Sequence, residues 1–302
     1  MRHALTLSLT AFVFLSVGSG WLMFYPPVPA DLDGARNLDA EAERVRIPVA
    51  ESDSLDGWLL RGTAPGVIVL FHGYGRKHDR VWRYAQFLEH DGWTMLTVDF
   101  RSSRGSNRLP TTLGHHELED AEAVWTWMRH QPWGRRQPAG VLGESLGGSV
   151  ALLLAARHDD VLAVVADCPF ASGERVLEDT FRRKAGLPPW PAVPIARALG
   201  RAVTGYDPGE VDVIAAAREL TDRPLYFIHA TKDDRMAAGQ ARDLWKAAGA
   251  KDPIWLVDTG HNEAWQRERE AYEAHIAAFF EAHLRSDLHD ATLGPAAMVE
   301  AP

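Results

Sequence analysis

Short, wholly apolar runs alternate with longer helical stretches along most of this chain, and few folds accept that order. Val67-Ile68-Val69-Leu70-Phe71 is the clearest such run. Five consecutive apolar residues without polar alternation fit a strand buried on both faces, as in a parallel sheet. Further strand candidates are Thr94 to Phe100, the stretch ending in Val141-Leu142, Leu162 to Ala166, Leu225 to His229 and Ile254 to Val257. Helical stretches near 80–90 and over 114–130, 146–157, 237–248 and 264–283 lie between or after them. An earlier pair, Val45 to Val49 and Leu55 to Arg61, flanks Asp53-Ser54 and reads as a hairpin. Eight strand candidates, six of them alternating with helices, predict an α/β architecture. It should be a mostly parallel, doubly wound sheet with helices on both faces and the antiparallel hairpin at one edge.

The alternation lapses between residues 171 and 222, about fifty residues between two strands. A connection this long needs structure of its own. It holds Phe181, Leu187-Pro188-Pro189-Trp190-Pro191 and a short helical stretch at 192–202, and it reads as a small helical lid inserted in one domain spanning 40–285. Residues 286–302 show no periodicity and are expected to be loose.

Residues 1–30 stand apart. Arg2 and His3 precede an uncharged run from Ala4 to Phe24, and Pro26, Pro27 and Pro29 end any helix there. The run would measure about 31 Å as a helix, enough to cross a bilayer core. Positive charge lies before it, and Asp31 and Asp33 follow it. The asymmetry puts the N-terminus in the cytoplasm and the rest outside. An uncleaved signal-anchor is the leading reading, because the run is long for a signal peptide. A signal peptide cleaved near Val28-Pro29-Ala30, giving a secreted or periplasmic protein, and a buried core helix are the alternatives.

Composition narrows the function classes. The 302 residues carry a net charge of −9, which disfavours a nucleic-acid partner because that needs a basic face. Cys168 is the single cysteine, so neither an intramolecular disulfide nor a cysteine-based zinc site can form.

The chemistry gathers at strand ends. Gly143-Glu144-Ser145-Leu146-Gly147 follows a strand from Ala139 and opens an Ala/Leu-rich helix. The pattern alone is weak, but this setting is that of a nucleophile elbow. Glycines two residues either side of Ser145 let strand and helix approach closely. The hydroxyl is then lifted beside a helix N-terminus that favours a developing anion. A serine needs a base. His261, in Asp258-Thr259-Gly260-His261-Asn262, follows the last strand and can reach across the sheet. His115 and His116 start a helix, while His275 and His283 lie on the terminal helix. The imidazole needs a carboxylate, and Asp233 or Asp234 in the turn after Leu225 to His229 could supply it. Asp233 is the expected partner, with Asp234 a solvated or capping residue. Oxyanion donors are expected from the backbone N–H of Leu146 and of Tyr74, the latter in His72-Gly73-Tyr74-Gly75. The Tyr74 phenol is either a third donor or a packing group, and His72 is expected to bond the loop backbone.

Over roughly 44–284 the sequence resembles the α/β-hydrolase superfamily. The resemblance rests on Phe71-His72-Gly73, Asp99-Phe100-Arg101, Gly143 to Gly147, Asp167-Cys168-Pro169-Phe170, His229 to Asp233 and Gly260-His261-Asn262, in that order. Within the superfamily it is most similar to the membrane-anchored bacterial serine hydrolases grouped with the Bem46-like proteins. That resemblance implies a Ser–His–Asp hydrolase needing no cofactor and no metal. Ser102-Ser103-Arg104-Gly105 stands where the family often has Gly-x-Gly, which bears on substrate shape.

A carboxylic-ester hydrolase acting on a small-molecule ester is the leading expectation. A serine peptidase or amidase is the nearest rival, although such enzymes usually carry a large extra domain. A non-catalytic binding protein on the same fold is the third reading. Between 171 and 206, Arg175, Arg182, Arg183, Lys184, Arg197 and Arg201 outnumber Glu174, Glu178 and Asp179. With Phe181, Leu187, Trp190, Val193 and Ile195, this lid either lines an acyl pocket for an amphiphilic ester or simply packs on the sheet.

Overall fold

The computed structural model describes residues 23–28, 42–50, 53–103 and 109–285. The proposed span over 4–24, apart from its last two residues, and the tail 286–302 lie outside these. Among the described residues no helix is long and apolar enough to cross a membrane.

Eight strands form one sheet in the order β1-β2-β4-β3-β5-β6-β7-β8. The strands are β1 (Glu43–Ala50), β2 (Asp53–Leu60), β3 (Val67–Phe71), β4 (Thr94–Val98), β5 (Ala139–Glu144), β6 (Ala163–Asp167), β7 (Leu225–Ala230) and β8 (Trp255–Val257). β2 runs antiparallel to both β1 and β4, and every other pairing is parallel. The expected hairpin is therefore present, with β1 at the edge and β2 joining it to the parallel strands.

The helices are α1 (His78–Ala85), α2 (His115–His130), α3 (Leu146–Arg157), α4 (Gly173–Asp179), α5 (Pro189–Thr204), α6 (Val213–Arg218), α7 (Gly239–Ala248), α8 (Ala264–Arg267) and α9 (Arg269–Leu284). Alternation of side chains along each strand divides the core into two layers. Val67, Val69 and Phe71 face α2, α3 and α7, where Val124, Val150 and Leu244 pack. Ile68 and Leu70 face α1 and α9, where Trp82, Ile276 and Phe280 pack. Both faces of the central strands are dry, which explains their unbroken apolar sequence.

Several boundaries differ from the sequence expectation for local reasons. β4 ends at Val98, and Asp99 still donates its backbone N–H to Asp56 O at 3.1 Å beyond that end. Asp99 Oδ1 accepts the His78 backbone N–H at 2.7 Å and pairs with His78 Nδ1 at 2.9 Å. The closing helix breaks at Glu268, whose φ of −126° and ψ of 49° leave the helical region. Between β6 and β7 lie α4, a π-helical segment over Thr180–Ala185, α5 and α6. α6 buries Val213 and Ala217 beside α3 and α7, so it is part of the flanking layer. The segment from α4 to α5 sits at the C-terminal ends of the strands. Asp179 anchors it there, because its Oδ2 accepts from Ala237 N at 3.0 Å and from Gln240 Nε2 at 2.8 Å.

Candidate active site

Ser145 joins β5 to α3 with φ 52° and ψ −116°, a region that disfavours any side chain. Such strain costs on the order of 1–3 kcal/mol and persists only where the surroundings enforce it. Here backbone contact enforces it. A Cβ on Gly143 would lie 2.2 Å from the Gly147 carbonyl oxygen, and one on Gly147 would lie 2.1 Å from that of Phe71. Only glycine fits at either position. The Ser145 N–H donates to the Asp167 carbonyl at 2.7 Å, which pins the turn to the end of β6.

Two neighbouring turns bring the remaining groups to this elbow. Thr231 N–H donates to Val257 O at 2.8 Å and Lys232 N–H to Thr259 O at 3.1 Å, so the turn after β7 lies against the one after β8. His261 Nδ1 is 2.6 Å from Asp233 Oδ2, and His261 Nε2 is 2.9 Å from Ser145 Oγ. An ionised carboxylate can only accept, so Nδ1 carries the imidazole proton and Nε2 is free to take one from Ser145. Asp233 Oδ1 accepts the backbone N–H groups of Arg235 and Met236, both at 2.8 Å. Burial alone would raise the Asp233 pKa. The hydrogen bond and charge of His261, with those two N–H groups, outweigh it and hold the carboxyl below its ordinary value. Asp234 instead points to solvent and pairs with Lys184.

Tyr74 and Leu146 both line the cavity at Ser145. Leu146 is the first residue of α3, so its N–H has no acceptor within the helix. A Cβ on Gly73 would come 3.3 Å from Ser145 Cβ, which places the loop before Tyr74 against Ser145. The Tyr74 phenol donates to Met23 O at 2.8 Å and is held there as a packing group. His72 accepts the Phe100 N–H at Nε2, at 3.1 Å, and its Nδ1 lies 2.8 Å from Gly73 O. Nε2 thus lacks a proton and Nδ1 donates, a neutral ring that burial favours by lowering its pKa.

The apolar cavity beside Ser145 has a volume of about 320 Å3 and is walled by Met23, Leu113, Phe170, Val176 and Met236. Of the insertion, Val176, Thr180 and Lys184 face it. The apolar residues expected to line it lie elsewhere: Phe181 and Val193 are buried in the core, and Trp190 is 78% exposed over a separate surface groove. Cavity walls are set by the packing of distant segments, which composition of one segment does not reveal.

Other contributors carry weaker sequence signals. Asn262, at φ 53°, donates from Nδ2 to Asp167 O at 3.1 Å, and its own carbonyl accepts from Tyr84 Oη at 3.1 Å. It braces the His261 turn against β6. The adjacent asparagine could have been flagged, since this residue tolerates positive φ. His229 is fully buried, with Nε2 3.7 Å from Asp233 Oδ2, and burial lowers its pKa. Cys168, His229 and Asp233 come close enough for a metal trio, as do His115, His116 and Glu119. In the first set, Asp233 is already committed to His261 and two backbone donors.

A family model described as the alpha/beta hydrolase fold matches residues 66–205. The chain is 27% identical over 239 residues to YqkD of Bacillus subtilis, described as uncharacterized, covering 78% of each. Its structure is similar to that of the Pyrococcus furiosus esterase Pf2001, with a TM-score of 0.68, 22% identity and coverage of 86% of this chain and 99% of that one. It is also similar to the Pyrococcus horikoshii acylaminoacyl peptidase, with a TM-score of 0.61 and 18% identity, but there it covers 81% of this chain and only 42% of that one. Strand order, family match and structural neighbours agree that this chain has the α/β-hydrolase fold.

Proposed function

We propose that this protein is a serine hydrolase that cleaves carboxylic esters through an acyl-enzyme intermediate. The observation that carries the reading is the continuous chain Ser145 Oγ–His261 Nε2, 2.9 Å, and His261 Nδ1–Asp233 Oδ2, 2.6 Å, on a strained elbow. Ser145 Oγ attacks the ester carbonyl while His261 Nε2 takes its proton. The tetrahedral oxyanion accepts from the N–H groups of Leu146 and Tyr74. His261 then protonates the departing alcohol. Water, deprotonated by His261, attacks the acyl-enzyme and releases the carboxylic acid and free Ser145. Asp233 holds the imidazole tautomer and stabilises its cation.

The apolar cavity supports an acyl group as the part of the substrate held beside Ser145. An amidase or peptidase is the second reading, prompted by the acylaminoacyl peptidase likeness. That likeness spans 81% of this chain and only 42% of that neighbour. Matched p-nitrophenyl esters and peptide anilides decide between them. Turnover of esters with little or no anilide cleavage is expected, and a preference for anilides would reverse the assignment.

The proposal extends to location. Residues 4–24 serve as an uncleaved anchor with the catalytic domain outside the cytoplasm, as in the membrane-anchored hydrolases the sequence resembles. Packing of its end supports retention: Phe24 is fully buried, Phe24 O accepts from Thr111 N at 2.9 Å, and Met23 walls the acyl cavity. Cleavage after Ala30 would remove all three. Intact mass of the mature protein, with protease accessibility in spheroplasts, is expected to show residues 23–24 present and the domain outside. A chain beginning near residue 31 would contradict the anchor.

A further inference from the structure

Ser145 lies between two spaces of opposite character. One is the apolar cavity, which His261 does not line. The other is a narrow cleft of about 20 Å3 bounded by Arg76, Arg80, Arg235, Glu144, Ser145 and His261. The leaving alcohol must depart where His261 can protonate it, so the cleft is the leaving-group side.

The charges there do not balance. Arg80 Nε is 3.5 Å from Glu144 Oε2, and Glu144 Oε1 accepts the Gly73 N–H at 3.2 Å. Glu144, 2% exposed, is the cleft's carboxylate and is thereby committed. Asp233 is held by His261, and Asp234 by Lys184. Among the described residues, the half-buried side chains of Arg76 and Arg235 have no ion-pair or hydrogen-bond partner. Most other half-buried arginines of the described residues are paired: Arg101 with Asp120, Arg129 with Asp160, Arg175 with Asp243, Arg197 with Asp207, while Arg83 lies over the Trp265 ring and the unpaired Arg135, Arg136, Arg182, Arg218 and Arg242 are exposed to water. Leaving two unpaired beside the nucleophile of a chain of net charge −9 is therefore a departure from its own pattern. Burial and the positive charges of Arg80 and Arg235 hold the Arg76 guanidinium below its ordinary pKa, which an anion would relieve.

We propose that Arg76 and Arg235 form a subsite for an oxyanion, carboxylate or phosphate, carried on the alcohol portion of the ester. The inference rests on the esterase reading and names its substrate class: an apolar acyl chain joined to a small alcohol bearing a negative charge close to the ester oxygen. The narrowness of the cleft favours a single small oxyanion over a bulky polar head. Guanidinium forks suit either anion. Arg235 also borders the apolar cavity, so it stands at the junction where such an ester would bend.

Three esters with the same medium-length acyl chain test this: an acylglycerol, an acylglycerate and an acylglycerol phosphate. At least one anionic ester is expected to exceed the neutral one roughly ten- to a hundredfold in kcat/KM, the worth of a charge-assisted contact. The advantage should shrink with added salt. Which anionic ester leads identifies carboxylate or phosphate. Arg76→Gln and Arg235→Gln should each move the ratio toward one, mainly by raising KM for the anionic ester. If either variant fails to fold, the wild-type ratio and its salt dependence decide alone. Equal kcat/KM for all three esters, or labelling of Ser145 by a fluorophosphonate without cleavage of either anionic ester, overturns the subsite. Absence of both labelling and any ester cleavage overturns the esterase reading beneath it.

Discussion

Asp233 Oδ2 lies 2.6 Å from His261 Nδ1, while its other oxygen accepts two backbone N–H groups of its own turn. The carboxylate is thus fixed in place by the backbone before it orients the imidazole. Its neighbour Asp234 is 64% exposed at the side chain and pairs with Lys184 of the insertion. Asp233→Asn is expected to lower kcat by about four orders of magnitude, as loss of the orienting carboxylate does in such triads. Asp234→Asn should change kcat little. Steady-state kinetics on a p-nitrophenyl ester checks both, and the reverse pattern would assign the wrong aspartate.

Val176 is buried and faces the apolar cavity beside Ser145, whereas Trp190 is 78% exposed and stands outside it. Val176→Phe should shift the preferred acyl chain to shorter lengths, with a stability cost of about 1–3 kcal/mol from overpacking. Trp190→Ala should leave the chain-length profile as it is and stability within about 0.5 kcal/mol. A p-nitrophenyl ester series of increasing length distinguishes them. An altered profile in the Trp190 variant alone would place the acyl chain over the other groove.

Asp167 is 1% exposed, and burial raises its carboxyl to about 6. An unfolded aspartate titrates near about 3.9. Between those values the folded chain keeps a proton that the unfolded chain has lost, so stability falls as pH rises, by up to about 3 kcal/mol at ~1.4 kcal/mol per unit. Above about pH 6 to 7 the loss is complete. Asp167→Asn has no such titration. Its unfolding free energy relative to wild type should rise by about 2–3 kcal/mol between pH 4 and pH 7 in urea titrations. A difference independent of pH would show that the carboxyl is ionised in the fold.

The sheet and the elbow were legible because local rules fix them. Val67 to Phe71 has no polar face to expose, and Gly143 and Gly147 are demanded by carbonyls within 2.2 Å of any Cβ placed there. Chain order, with Ser145 first and His261 after the last strand, pointed to the groups that meet. The rest depends on packing between segments far apart in sequence. Met23 belongs to an apolar run that reads as a span, yet it walls the cavity. Leu113 and Val176 look like any core residue. Arg76 and Arg235 look like solvated charges until the cleft brings them together beside Ser145. The apolar content of the insertion was legible, but which part of it faces the cavity was not.

A fluorophosphonate probe followed by intact mass and peptide mapping tests the nucleophile most directly. One adduct per chain is expected, on the peptide containing Ser145, with p-nitrophenyl ester hydrolysis lost in proportion to labelling. Ser145→Ala should neither label nor turn over ester, while melting near the wild-type midpoint. A wild-type chain that takes up no probe, or a Ser145→Ala variant that still labels and hydrolyses ester, would contradict Ser145 as the attacking group.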